Sequence, residues 1–372
     1  MDEFLFLDGL TSFQRRLVDI CRAEAENDRV FLSAKDILKV LAIQDWKMDE
    51  EDFEYDCEAL SSHVEPIESY SPKSLGYAYR MILQLGFPWR CRYPHFDLRG
   101  MYGDQHDEIP QGPEYVELRL SRFSHVVMPV GKAPLLPLGL LNGMSLPDGT
   151  QIPAHNLEEL WSAFEHIRQD PKMPLDDLMA FLPGPDFASG GVVGGTGAVR
   201  SLYADGKGTL LLRADIQTEM EGARTRLSIS SLPPGVLVKT VLDQIRLLSQ
   251  EEKIELYTLK NQSERNRIQI TLDAPRHRSA TALKEILFRE TDLERRVAFQ
   301  CSASDASGWK GGVSLVETLK QATARCTLSW ERKDDEPIEH IPLLKEIQAF
   351  GGYKSPLSDL IDARRSRLLD IS

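Results

Sequence analysis

The stretch 92-RYPHFDLRGMYGDQHDEIPQGPEYVELRLS-121 divides the chain into two textures. Its first part, 93–113, is crowded with Gly, Pro and Asp, which break helix and strand alike, so it is expected to be loop. It runs straight into 114-EYVELRLSRFSH-125, so the loop presents whatever stands at its far end. Upstream, between Leu5 and Arg92, apolar residues recur three and four apart in FQRRLVDICRAEA, AKDILKVLAIQ and SLGYAYRMILQLGF. That period predicts short helices in a compact helix-turn-helix type of unit. Downstream, Pro and Gly between Pro129 and Pro153 mark a second irregular connection. Beyond it, NLEELWSAFEHIRQD reads as an amphipathic helix with Asn156 as its N-cap. Alternation then predicts strands in TLLLRADIQTEM, ARTRLSISSLPP, KIELYTLKNQ, NRIQITLDA and TARCTLSWER, interspersed with helical VLVKTVLDQIRLLSQ and SATALKEILFRE. PLSDLIDARRSRLLDIS reads as one basic helix. The fold class is therefore α+β, divided into 1–140, 141–340 and a C-terminal basic helix over 341–372.

Composition narrows the class. A chain of 372 residues exceeds one ordinary domain, since domains run about 100 to 200 residues. With 42% hydrophobic and 27% charged residues, and no run approaching the ~18 apolar residues of a membrane span, no membrane association is expected. The N-terminus MDEFLFLDGL lacks the basic region and cleavage site of a signal peptide, which reads as cytoplasmic. Cys21, Cys57, Cys91, Cys301 and Cys326 contain no C-x-x-C pair, so they are read as reduced thiols rather than as disulfides or zinc ligands. The formal net charge of −13 repels a polyanion on average, but nucleic-acid binding depends on local basic patches. The run 49-DEEDFEYDCE-58 reads as a solvated loop.

Motifs for self-contained catalysis are lacking. The run 190-GGVVGGTG-197 is no phosphate-binding loop, because no G-x-x-x-x-G-K-[ST] occurs, and it is read as a turn between strands. Asp104, His106, Asp107 and Glu108 are hard metal-ligand types in a loop, but solvated polar residues are the simpler reading, and no metal site is assigned. His63, His95, His125, His155 and His277 are scattered, and no triad order can be assigned from them.

The segments 8-DGLTSFQRRL-17, 92-RYPHFDLRGMYG-103, 115-YVELRLS-121, 152-IPAHNL-157 and 182-LPGPDF-187 carry a specific resemblance. In order and spacing they are similar to motifs of the A subunits of bacterial type IIA DNA topoisomerases, DNA gyrase and topoisomerase IV. There D-G-L-x-P-x-x-R-R, R-Y-x-x-x-D-x-x-G-N-F-G and a helix-initiating R-Y-T-E precede I-P-P-H-N and I-P-G-P-D-F. The resemblance covers about Asp8 to Trp330 and fades over the last forty or so residues. It implies a winged-helix DNA-gate domain followed by an α+β tower domain, with the coiled-coil C-gate missing from the expected architecture. It further implies a nucleoid-associated enzyme whose partners are duplex DNA and a B-type subunit. That B-type partner would use ATP and hold most of the Mg²⁺, and this chain alone would bind no cofactor. The family's nucleophile falls on Tyr115, whose phenolate would attack a DNA phosphodiester and hold the 5′ end. Arg15, Arg16, Lys73, Arg92 and Arg99 would contact DNA phosphates, with Arg90 and Arg119 also available. With the C-gate missing, a single dimer contact at the DNA gate implies a weak homodimer.

Departures from the family pattern set up the alternative expectation. Glu114 stands where the family has an Arg directly before the nucleophile, exchanging a cation that stabilises the transferring phosphate for an anion. The family's His-Pro-His-Gly falls on Ser71-Pro72-Lys73-Ser74, and its basic DNA-gripping helix on Cys57-Glu58-Ala59-Leu60-Ser61. The apolar wedge of Gly-Ile-Ala-Val-Gly-Met has no counterpart in 142-NGMSLPDGTQIPAHN-156. The alternative is a catalytically impaired relative that binds DNA or topoisomerase subunits and regulates them.

Overall fold

A computed structural model of the chain describes Val18 and residues 32–34, 75–127, 137–145, 150–265, 267–276, 279–301, 303–305, 308–310, 312–331 and 364–369. The elements in chain order begin with β1 (Leu32–Ser33), α1 (Leu75–Gly86), β2 (Phe96–Gly100), one turn of 3-10 helix (Pro113–Tyr115), β3 (Val116–Leu120), α2 (Arg122–Val127) and α3 (Leu138–Asn142). Next come β4 (Met144–Ser145), β5 (Gln151–Ile152), α4 (Leu157–Gln169), α5 (Leu175–Leu178), β6 (Gly191–Gly194), α6 (Thr196–Asp205) and β7 (Lys207–Arg213). β8 (Ile216–Glu221), β9 (Arg224–Ile229), α7 (Val238–Gln250), β10 (Thr258–Asn261), β11 (Ile270–Pro275) and α8 (Ala280–Glu290) lead back through β12 (Glu294–Gln300). The last elements are β13 (Ala303–Asp305), β14 (Gly308–Lys310), α9 (Leu315–Glu331) and β15 (Ser366–Leu369). The mixed α and β content agrees with the expected α+β class.

Four sheets organise the described elements, the smallest being the antiparallel pair β13–β14. β1, β3 and β2 form a small antiparallel sheet, with Phe96 opposite Leu120 and Gly100 opposite Val116. A mixed six-stranded sheet runs β15-β6-β7-β12-β5-β4, and an antiparallel four-stranded sheet runs β10-β11-β9-β8. The run TLLLRADIQTEM is split between two of them, β7 ending in the six-stranded sheet and β8 opening the four-stranded one. The chain then returns as β12 beside β7, so everything between them is an insertion with its own core. Leu227 and Ile229 of β9, Ile270 and Leu272 of β11, Val241 and Ile245 of α7 and Leu287 of α8 share that core. The alternation of β9 and the helical period of α7 are what the sequence pattern expects of a half-buried strand and an amphipathic helix. The larger core runs from Tyr79, Phe96 and Leu118 through Leu141, Leu160 and Phe164 to Leu212 and Leu319, drawing on both sides of residue 140.

Several expectations are corrected. The segment 93–113 is not all loop, because Phe96 and Leu98 alternate with Asp97 and Arg99 and zip onto β3 as β2. TARCTLSWER lies in α9 up to Glu331, because buried Leu315, Leu319 and Ala322 establish a helical phase that the β-branched Thr323 does not interrupt. Part of the 190–197 run is a buried strand, Gly191–Gly194, and Gly195 then precedes α6. Gly191 has φ +89°, and a Cβ there would stand 2.7 Å from the carbonyl oxygen of Arg213, so strand pairing explains this glycine. The expected C-terminal basic helix is overturned over its described part, because Ser366–Leu369 pairs parallel with β6. The acidic run 49–58 and, apart from Val18 and Ala34, the expected helical segments upstream of α1 lie outside the described residues.

Four segments far apart in sequence meet at one buried point. The Arg92 guanidinium pairs with Asp186 at 3.0 Å, both side chains fully buried. The other carboxylate oxygen of Asp186 accepts the backbone N–H groups of Arg365 (2.9 Å) and Ser366 (2.7 Å), and its own N–H donates to Ala154. Arg364 donates to the carbonyls of Gly184 and Pro185. Next to this pair, Asn142 accepts from Tyr93 N–H and donates to its carbonyl, standing in for a strand partner. The Tyr93 hydroxyl accepts the first N–H of α4, beside the Asn156 side chain that caps Glu158 and Glu159.

Two histidines are locked neutral here. His155 donates from Nδ1 to the Leu140 carbonyl and accepts from the Tyr203 hydroxyl, and burial pushes it down to about 4. His95 sits between Ser124 and Asn142, and burial likewise pushes it down to about 4.

This junction should govern stability. Removing one partner of a buried pair strands the other charge, so Asp186→Ala is expected to cost about 3–5 kcal/mol in urea unfolding, while the exposed Arg99→Ala costs under about 1 kcal/mol. In the unfolded chain each imidazole takes a proton near its ordinary 6.5, whereas in the fold it stays neutral down to about 4. Between those limits the unfolded state binds more protons, so stability is whole above 6.5 and is lost as pH falls towards 4. Each histidine accounts for at most about 3 kcal/mol of that loss, and His155→Gln should flatten the slope of urea midpoint against pH over this window.

Candidate functional site

Tyr115 stands where the 3-10 turn Pro113–Tyr115 becomes β3. Its backbone is pinned on both sides, with its N–H donating to Gly112 at 2.9 Å and its carbonyl accepting from Met101 at 3.0 Å. The next residue, Val116, is fully buried, while the Tyr115 side chain is 57% exposed. A phenol is thus held out to solvent on an anchored backbone. Gly100 makes this possible, because at φ +96° it packs so closely that a Cβ would collide with the Tyr115 carbonyl oxygen. The chain leaves Tyr115 as a strand.

The loop joining β2 to Tyr115 is internally tied. Gln111 N–H donates to Met101, and its carbonyl accepts from the buried Tyr79 at 2.6 Å. Asp104 accepts from His106 N–H, and Glu108 accepts from Trp89 Nε1 and Arg90 Nε. The polar cluster therefore builds the loop, and among the described residues no group of three or more His, Cys, Asp or Glu is placed to hold a metal ion. Glu114 is exposed, and its carboxylate folds back over Gly112, where a Cβ would lie 2.6 Å from both oxygens.

The insertion leans on this loop. The first N–H groups of α7, from Val238 and Lys239, donate to the carbonyls of Gln105 and His106 at 3.2 and 3.0 Å. The tip of the β10–β11 hairpin reaches the same place, where the Arg265 guanidinium lies 4.4 Å over the Tyr102 ring and donates a long 3.5 Å hydrogen bond to the Gly100 carbonyl. Tyr102 in turn stacks on Trp89, and Trp89 on Phe87. The sequence pattern does not reveal the pairing of Gly100 and Arg265, because a contact spanning 165 residues leaves no local periodicity.

The proposed DNA-contact residues fare differently. Arg92 is corrected, because it is buried against Asp186 and cannot reach a surface ligand. Arg99 is exposed and 3.5 Å from Glu117, Arg119 pairs with Asp97, and Arg90 with Glu108. Arg15, Arg16 and Lys73 lie outside the described residues, as do Ser71–Ser74 and Cys57–Ser61. Cys301 is buried, and burial pushes its thiol up to about 12, so it is no nucleophile. Among the described residues no helix is long and apolar enough to cross a membrane.

The family of DNA gyrase/topoisomerase IV A subunits matches residues 129–333, a stretch that begins 14 residues after Tyr115. The DNA gyrase A subunit of Dehalogenimonas lykanthroporepellens is 28% identical over 257 residues, 62% of this chain and 32% of that protein. Its Thermotoga maritima counterpart is 24% identical over 62% of this chain and 32% of its own length, and that of Streptococcus pyogenes is 26% identical over 68% and 33%. The chain thus spans about a third of the length of these curated relatives. With the family match covering more than half of its residues, the chain belongs to the family of DNA gyrase/topoisomerase IV A subunits.

Proposed function

We propose that this chain acts as the A-type component of a type IIA DNA topoisomerase, using Tyr115 to make a transient double-strand break in duplex DNA. The observation that carries the reading is an exposed phenol on a backbone fixed by Gly112, Met101 and Gly100. A nucleophile that must attack and later be displaced benefits from such positioning, because orientation lowers the barrier in both directions. In the forward step the Tyr115 oxygen bonds to phosphorus, the bond to the 3′ oxygen breaks, the phenol loses its proton and the 3′ hydroxyl gains one. Religation reverses these changes, and the phosphotyrosyl bond conserves the energy of the phosphodiester. The small sheet with α1 would then be the winged-helix DNA gate, and the inserted α+β unit the tower. In this reading two copies meet at the DNA gate as a weak homodimer, and a B-type partner would supply ATP hydrolysis and Mg²⁺.

Two measurements test the reading. Incubation with a B-type partner, duplex DNA and Mg²⁺ or Ca²⁺ should give a denaturation-resistant protein–DNA adduct that Tyr115→Phe abolishes; no adduct with any B-type partner would count against cleavage. Glu114 places an anion on the residue directly before the nucleophile, with its carboxylate folded over Gly112. Glu114→Arg is therefore expected to raise adduct yield or duplex affinity by about 10-fold or more at low salt, with the gain shrinking as salt screens it.

A further inference from the structure

Four arginines project from or pack against β2, β3 and the loop between them, and a carboxylate neutralises three: Arg90 by Glu108, Arg99 by Glu117 and Arg119 by Asp97. The fourth, Arg265, arrives from the β10–β11 hairpin. It is exposed, and among the described residues its partners are the Tyr102 ring and the Gly100 carbonyl, with no carboxylate. Gly100 is opposite Val116 in the β2–β3 register and packs against the Tyr115 carbonyl. The guanidinium is thus held one backbone away from Tyr115, on the side of the site made by the insertion.

We infer that Arg265 is a DNA-backbone phosphate contact delivered to the Tyr115 site by the hairpin. This rests on the proposed function, and it adds a residue that neither motif nor composition marks. Stacking and the carbonyl bond use one face and one Nη of the guanidinium, leaving other N–H donors for a phosphate in the planar fork that suits such an anion. The hold on Tyr102 also fixes the side chain before DNA arrives, so less rotamer freedom is lost on binding. The hairpin tip is itself tied down, because Gln105 donates to the Glu264 carbonyl and Glu264 bridges Arg267.

The test is duplex binding by the full chain, measured by fluorescence anisotropy of a short labelled duplex over a series of salt concentrations. Each phosphate contact adds about 0.9 to the slope of log affinity against log salt on duplex DNA, so Arg265→Gln should lower the slope by about that amount and weaken binding about 10-fold, independently of sequence. Arg265→Lys keeps the charge and should restore most of the slope. Arg276→Gln removes a charge at the opposite end of the same sheet, where Arg276 donates to Gly222, and should leave the slope unchanged. Thermal melting checks that the variants remain folded, which is expected of an exposed hairpin residue. If the wild-type chain binds duplex and Arg265→Gln leaves slope and affinity as they were, or Arg276→Gln lowers the slope equally, this inference falls and the proposed function stands. If the wild-type chain binds no duplex at all, the proposed function falls and takes the inference with it.

Discussion

The buried pairing of Arg92 with Asp186 is the constraint on which the rest of the structure depends. Removing two charges from water carries a desolvation cost that their attraction offsets only when geometry is good and the remaining polar atoms are bonded. Here the free carboxylate oxygen takes two backbone N–H groups from the C-terminal segment, and Asp186 N–H finds Ala154. An arrangement that is satisfied only when residues 92, 154, 186 and 365 coincide selects one way of assembling the larger core. Asn142 and the Tyr93 hydroxyl extend it to α3 and α4 by satisfying backbone groups rather than by adding charge.

That junction lies at the start of the segment whose far end bears Tyr115. Arg92 and Tyr93 hold the chain just before β2, β2 zips onto β3, and Gly100 allows the close approach that leaves the phenol outside. The residues of the RYPHFDLRGMYG motif therefore work mostly as architecture, and one exposed side chain gains a defined position from them. The insertion contributes from the other side, through the α7 N-terminus on Gln105 and His106 and the hairpin tip on Tyr102 and Gly100.

Much of this was legible locally. Asn156 caps α4 as its residue type and position suggested, and α7, α8, β9 and β11 follow their apolar periods. Periodicity misled where a neighbour overruled it. Residues 323–331 alternate weakly but continue a helix begun by Leu315, and the 190–197 glycines imitate a turn but serve close strand pairing. Arg364–Leu369 has a helical composition, yet β6 and the Asp186 carboxylate offer its backbone better partners.

The sequence by itself determined the α+β class, the type of most elements in the insertion and the identity of Tyr115 as the residue worth locating. These are properties of periodicity, capping chemistry and motif order, all encoded within a few neighbouring residues. Only the tertiary structure decided which arginines meet solvent. Arg92 and Arg99 belong to one motif and carry the same charge, but one is buried against an aspartate 94 positions away and the other is exposed beside Glu117. Burial and pairing are set by partners distant in sequence, and so is the arrival of Arg265 beside Gly100, because the free energy of a charge depends on what the fold places around it.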